Sequence, residues 1–217
     1  MQKLLLVVCS CLIFLAGKGQ GCSDAGVCTI NSIKGGEIGK EDTVFYKQRL
    51  EIGLTYGVGD DFNNIISPYI GYTAFFTKKI SISTKYTAAL ISGKKGTVIN
   101  VGDFIITNNF QFLNKKNIAL TGTIGTKIPL NYANASAKGL PLPLSYQTSL
   151  ATVDGIVGLA FVSKYVDVST AFQYPFFQGN RNAFFAKGND TLIFQSTNKF
   201  ERKPDVILKA TGHYVPS

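Results

Sequence analysis

The chain has 217 residues, 45% of them hydrophobic and only 16% charged, with a mean hydropathy of +0.14. Soluble domains carry roughly 25% charged residues, so this composition argues against a soluble exported domain. The formal charge of +9 comes with a single histidine, His213. Serine–histidine and cysteine–histidine catalysis therefore have little to build on.

The first 21 residues read as a secretory signal peptide. Lys3 supplies the positive start, Leu4 to Leu15 an apolar core too short to span a bilayer, and Ala16, Gly17, Gly19 and Gly21 the small residues of a cleavage region. A lipoprotein signal with Cys22 lipidated is the alternative, although Gly19 stands where an aliphatic residue is usual. Nothing after residue 21 approaches the length of apolar run that a transmembrane helix needs.

Residues 22–42 form a glycine-containing lead-in. Cys9 and Cys11 lie in the signal, so the mature chain keeps Cys22 and Cys28. An oxidising compartment favours a local Cys22–Cys28 disulfide. Metal ligation is the weaker alternative, because two cysteines without a nearby histidine fall short of four donors.

From residue 43 to 217 the chain breaks into long runs rich in β-branched, aromatic and glycine residues. Nine strands are expected, at 44–58, 66–76, 80–91, 99–113, 118–130, 147–162, 165–177, 191–199 and 204–215. In the first, Leu50, Ile52, Leu54, Tyr56 and Val58 share one face, while Arg49, Glu51, Gly53, Thr55 and Gly57 share the other. The third, fifth and seventh runs alternate in the same way, with Ser81, Ser83, Lys85 and Thr87 on the polar face of the third and Ala119, Thr121, Thr123 and Lys127 on that of the fifth. The fourth and sixth are noisier, with Ile105 and Ile156 on the polar side. An apolar outside and a polar inside demand this period of two.

The gaps between runs carry further information. Thr77–Lys79, Asn114–Asn117 and Ser163–Lys164 are tight, whereas 59–65, 92–98, 131–146 and 178–190 are longer. Such alternation is characteristic of an outer-membrane barrel, with short turns on one side and long loops on the other. The predicted fold class is therefore all-β, an antiparallel up-and-down transmembrane β-barrel, incomplete at the C-terminus. Nine is an odd number and would leave the chain end on the outer side. Either the count is wrong or the chain is a piece of a larger barrel, and the second reading is favoured. Tyr69, Tyr72, Phe75, Phe76, Phe110, Phe112, Tyr165, Tyr174, Phe176 and Phe177 sit near run ends, where interfacial girdles would place them.

The segment Gly21-Cys22-Ser23-Asp24-Ala25-Gly26-Val27-Cys28-Thr29 resembles the mature start of a family of Gram-negative outer-membrane barrels grouped with transporters. Some members resemble barrels linked to uptake of hydrophobic or aromatic compounds. The resemblance is close over about nine residues and elsewhere extends only to layout. It implies a passive channel or uptake pore without a cofactor, and further strands beyond residue 217. It transfers no functional residue.

On the residues themselves, the charges of the polar face are the site candidates: Arg49, Glu51, Lys85, Asp103, Lys127, Asp154 and Asp167. Mixed charges in a lumen set solute preference, or else pair and plug a non-conducting interior. Gly139-Leu140-Pro141-Leu142-Pro143-Leu144 makes an apolar, proline-stiffened loop that either folds inward at the mouth or packs on the rim. No catalytic group, metal site or cofactor is expected. Lysine pairs at 78–79, 94–95 and 115–116 lie in turns, which suits anionic lipid headgroups and lipopolysaccharide better than nucleic acid. The expected partners are outer-membrane lipid, lipopolysaccharide and a small-molecule solute.

Overall fold

Eight strands form a single antiparallel sheet in the computed structural model, which describes residues 47–59, 62–115, 118–192, 194–198 and 200–213. They are β1 (Gln48–Val58), β2 (Asn64–Phe75), β3 (Ile80–Gly93), β4 (Gly96–Lys115), β5 (Ile118–Pro129), β8 (Thr152–Ser163), β9 (Val166–Gln178) and β10 (Asp205–Gly212). Their order in space follows the chain, β1-β2-β3-β4-β5-β8-β9-β10. The sheet curls into a half-barrel, with β1 and β10 as its two edges. A two-residue ribbon, β6 (Ser136–Ala137) with β7 (Leu140–Pro141), lies in the connection from β5 to β8.

The period of two read from the sequence sets the two faces. Leu50, Ile52, Leu54, Tyr56 and Val58 of β1, Ile124 and Ile128 of β5, Val157 and Leu159 of β8 and Val206 and Leu208 of β10 are all exposed on the convex side. Thr73, Ser81, Ser83, Thr107, Asn109, Thr121, Thr123 and Gln173 are buried on the concave side. Apolar outside and polar inside is the reverse of a water-soluble sandwich, where the buried faces are apolar.

The irregular fourth run has a local cause. Opposite Thr87, β4 carries one residue too many, and the register shifts between Tyr86 and Ala88. Such a bulge swaps the faces: Val98 points inward before it, and Asp103, Ile105, Thr107 and Asn109 after it. The Thr87 hydroxyl accepts a hydrogen bond from the Asp103 N–H at 2.9 Å and caps the disturbed backbone. Ile105 and Ile156 do fall on the inward face, as read. They are buried there against Ala171 and Ile207 in a small apolar patch.

Turn chemistry matches the tight connections. In the β2–β3 turn the Thr77 hydroxyl accepts from the N–H groups of Lys79 and Ile80, at 3.1 and 3.0 Å. In the β8–β9 turn Ser163 Oγ accepts from the Val166 N–H at 3.1 Å and donates to its carbonyl at 2.8 Å. Pro175 sits beside the bulge where β8 and β9 lose register between Val153 and Asp154, a position that spares a missing N–H.

Four expectations need correction. The described residues of the run 191–199 form no strand: Gly188–Leu192 is a short 3-10 turn, with Gly188 at φ +57°. The N–H groups of Thr197 and Asn198 donate to the Phe184 carbonyl, both at 3.0 Å, so the segment finds partners within its own connection. The expected strand 147–162 begins only at Thr152, after a 3-10 turn at Leu144–Tyr146 and a left-handed Ala151 at φ +56°. The connection at 92–98 is a tight hairpin in which Gly93 pairs with Gly96, at φ +144°. Lastly, eight strands return the chain to the side where β1 starts, so Gln48 and Gly212 share the rim of the short turns. The expected signal peptide, lead-in and Cys22–Cys28 disulfide fall outside the described residues.

Candidate functional site on the concave face

The long connections all leave the rim opposite Gln48 and Gly212. Two of them, 130–151 and 179–204, fold inward over the concave face. Leu142 and Tyr146 of the first and Phe184, Ala186 and Phe194 of the second pack on Ile91 and Val98 of the wall. Phe184 and Phe194 meet edge to face, with centroids 6.0 Å apart. The proline-rich loop therefore takes the inward course, although Leu140 at its tip stays exposed.

Side-chain amides stitch the two excursions together. Asn182 Nδ2 donates to the Leu142 carbonyl at 2.9 Å, while its Oδ1 accepts from Thr197 Oγ1 at 2.7 Å and from the Phe184 N–H at 2.9 Å. Gln147 does the same within the first excursion, donating to the Leu142 carbonyl at 3.0 Å and accepting from the Ala135 N–H at 2.9 Å. Asn131 Nδ2 and Thr148 Oγ1 both donate to the Val101 carbonyl, at 2.6 Å each, which anchors that excursion to β4. Backbone in a connection has few ladder partners, so these side chains meet a need that water meets elsewhere.

Beneath this cap lies a buried ionic cluster. Lys127 of β5 is 1% exposed and stands between two aspartates, 2.9 Å from Asp154 Oδ2 and 3.6 Å from Asp103 Oδ2. The Asp103 carboxylate also accepts from Ser149 Oγ at 2.5 Å. Arg202, at the end of the second excursion, reaches Asp154 Oδ2 with Nη1 and Asp205 Oδ2 with Nη2, both at 2.5 Å. Gln173 of β9 donates to the same Asp154 oxygen. Three carboxylates face two cations, and nearly all of them are out of water. Such groups are tolerable only when paired.

Farther from the cap the concave face is lined by a neutral polar ladder. Thr73 and Ser83 share a hydrogen bond at 3.0 Å, Asn109 Nδ2 donates to Ser83 Oγ at 3.4 Å, and Thr123 Oγ1 donates to Asn109 Oδ1 at 2.7 Å. The ladder crosses four neighbouring strands, β2 to β5.

The seven candidate charges thus divide into four groups. Asp103, Lys127 and Asp154 come together in the ionic cluster. Glu51 and Lys85 form a second group around Tyr69, whose hydroxyl donates to Glu51 Oε1 at 2.9 Å while Lys85 Nζ lies 3.8 Å above its ring. Tyr69 is therefore inward, not part of an outer girdle. Asp167 contacts His213 Nε2 at 2.8 Å near the short-turn rim, where both are well exposed. Arg49 is exposed on the edge strand β1.

Sequence reading missed Arg202, Asp205, Gln173 and Ser149. Arg202 carried no strand pattern, and its partner Asp154 lies 48 residues away. Among the described residues no group of three or more histidine, cysteine, aspartate or glutamate side chains is arranged to hold a metal ion. Neither protein-family models nor the curated proteins nor the solved structures gave a match to this chain.

Proposed function

We propose that the chain is an outer-membrane β-barrel protein of a Gram-negative bacterium that passes small molecules passively, hydrophobic ones included. The observation that carries this is the inversion of the sheet. Convex strands expose continuous apolar ladders, while Thr, Ser, Asn and charged side chains are buried inside. Exposed apolar area on that scale favours a lipid neighbour over water. Tyr72, Phe76, Phe110, Phe112 and Tyr165 toward the short-turn rim, and Tyr174, Phe176 and Phe177 toward the other, are exposed outward and suit the two interfaces. The polar ladder supplies a path for a solute. The apolar side chains of the inward excursions supply a greasy first contact.

A non-conducting, filled barrel is the competing reading. The two excursions and the ionic cluster favour it, since they occupy the concave face near one mouth. Both readings predict that the folded protein in detergent migrates differently on gels before and after boiling. A protein indifferent to boiling rejects the barrel. Solute-dependent swelling of liposomes carrying the protein is expected for the pore, and its absence selects the filled barrel.

A further inference from the structure

We propose that the excursion 179–204 is a strap latched to the barrel wall by Arg202, and that breaking this ion pair lifts the strap from the mouth. The inference rests on the barrel reading and names how its mouth is regulated.

The strap is held in three places. At its root, the Gly179 N–H donates to the Ala151 carbonyl at 2.8 Å and Asn180 Nδ2 to the Leu150 carbonyl at 3.3 Å, which ties it to the neighbouring excursion. Its middle rests on the wall through Phe184 and Phe194. Its far end is gripped by polar groups. Gln178 clasps the Arg202 backbone, donating to its carbonyl at 2.8 Å and accepting from its N–H at 3.2 Å. The guanidinium then enters the ionic cluster. Among the described side chains of the strap, Arg202 is the one charged group that is buried; Arg181, Lys187, Glu201 and Lys203 are exposed.

The cluster is built so that it can divide. When Arg202 withdraws, Asp154 still has Lys127 at 2.9 Å and the Gln173 amide. Arg202 keeps Asp205, whose side chain is 40% exposed and already near water. Asp103 keeps Ser149. Each buried carboxylate keeps a contact, with Lys127 then shared by Asp103 and Asp154, and a wholly unpartnered charge is what makes a broken interior ion pair so unfavourable. A pair serving only to hold the fold has no need of a second counter-ion on each side.

The test uses the full chain carrying Ala186→Cys, a small change on the strap itself, at a site 7% exposed where the strap packs on the wall. A bulky maleimide reports strap opening, and the chain without that substitution supplies the background from Cys22 and Cys28. Arg202→Gln, and Arg202→Met combined with Asp154→Asn, are expected to raise the labelling rate at least tenfold. Arg202→Lys, which keeps the charge, should stay within threefold of the latched protein. The double variant removes both partners and leaves no bare carboxylate, so it carries the test if Arg202→Gln does not fold. Gel mobility before and after boiling checks folding.

Unchanged labelling in the folded double variant overturns the latch. So does a rise in Arg202→Lys as large as in Arg202→Gln. Conductance of the same proteins in planar bilayers reads the pore separately. Faster labelling with every bilayer silent keeps the latch and removes the pore.

Discussion

At the scale of single residues, burial decides which charges matter. Lys127 is enclosed and holds two aspartates, whereas Asp167 and His213 meet at the rim with much of each side chain in water. Replacing Lys127 with Met leaves buried carboxylates short of a counter-ion and should destabilise the fold by about 3–5 kcal/mol. Replacing Asp167 with Asn should change stability by less than about 1 kcal/mol, as for most exposed pairs. Urea titration followed by tryptophan-free fluorescence of the tyrosines, or by gel mobility, gives both values; similar losses would contradict the burial argument. Glycines separate in the same way. A Cβ at Gly125 would stand 2.5 Å from the Ile106 carbonyl oxygen, backbone that cannot step aside, while one at Gly57 would meet nothing. Gly125→Ala is expected to lose about 1–3 kcal/mol and Gly57→Ala to stay within about 0.5 kcal/mol, measured by the same titration.

At the scale of elements, the alternating strands were legible because a period of two is local. Each residue's face follows from its neighbours, and a side chain at i and i+2 must agree. That is why Ser81, Ser83, Thr121 and Thr123 were placed inward correctly from sequence alone. The same logic failed at 191–199. Leu192, Ile193 and Phe194 look like a strand, but strand formation needs a partner edge, and this segment pairs with its own connection near Phe184. Propensity yields to context in such cases. The outward faces make a direct prediction. Ile124→Arg or Val157→Arg, both on the convex side, should lower the folding free energy in lipid vesicles by about 2–4 kcal/mol if these positions meet the bilayer interior. The control Thr55→Arg, on the concave side of β1, should do much less. Equal losses for both would argue that the convex face does not meet lipid.

At the scale of the molecule, the sheet has two unpaired edges among the described residues, β1 and β10. Unpaired backbone is unfavourable in hydrocarbon, so the proposed outer-membrane barrel requires strand pairing along β1 on insertion. Amide hydrogen exchange in vesicles checks this: protection across Leu50–Val58 comparable to that in β3 is the expected outcome, and rapid exchange there in the inserted protein would go against it.

By itself, the order of amino acids determined which residues face which side, where the chain turns tightly, and that the β-rich part is one up-and-down sheet. These properties depend on spacing and turn chemistry over a few residues. Only the tertiary structure decided the strand number, the inward course of both excursions, and the meeting of Asp103, Lys127, Asp154 and Arg202. The ion pairs join positions as far apart as Asp154 and Arg202, 48 residues, through registers and a bulge, and no local pattern records which distant charge will answer a buried one.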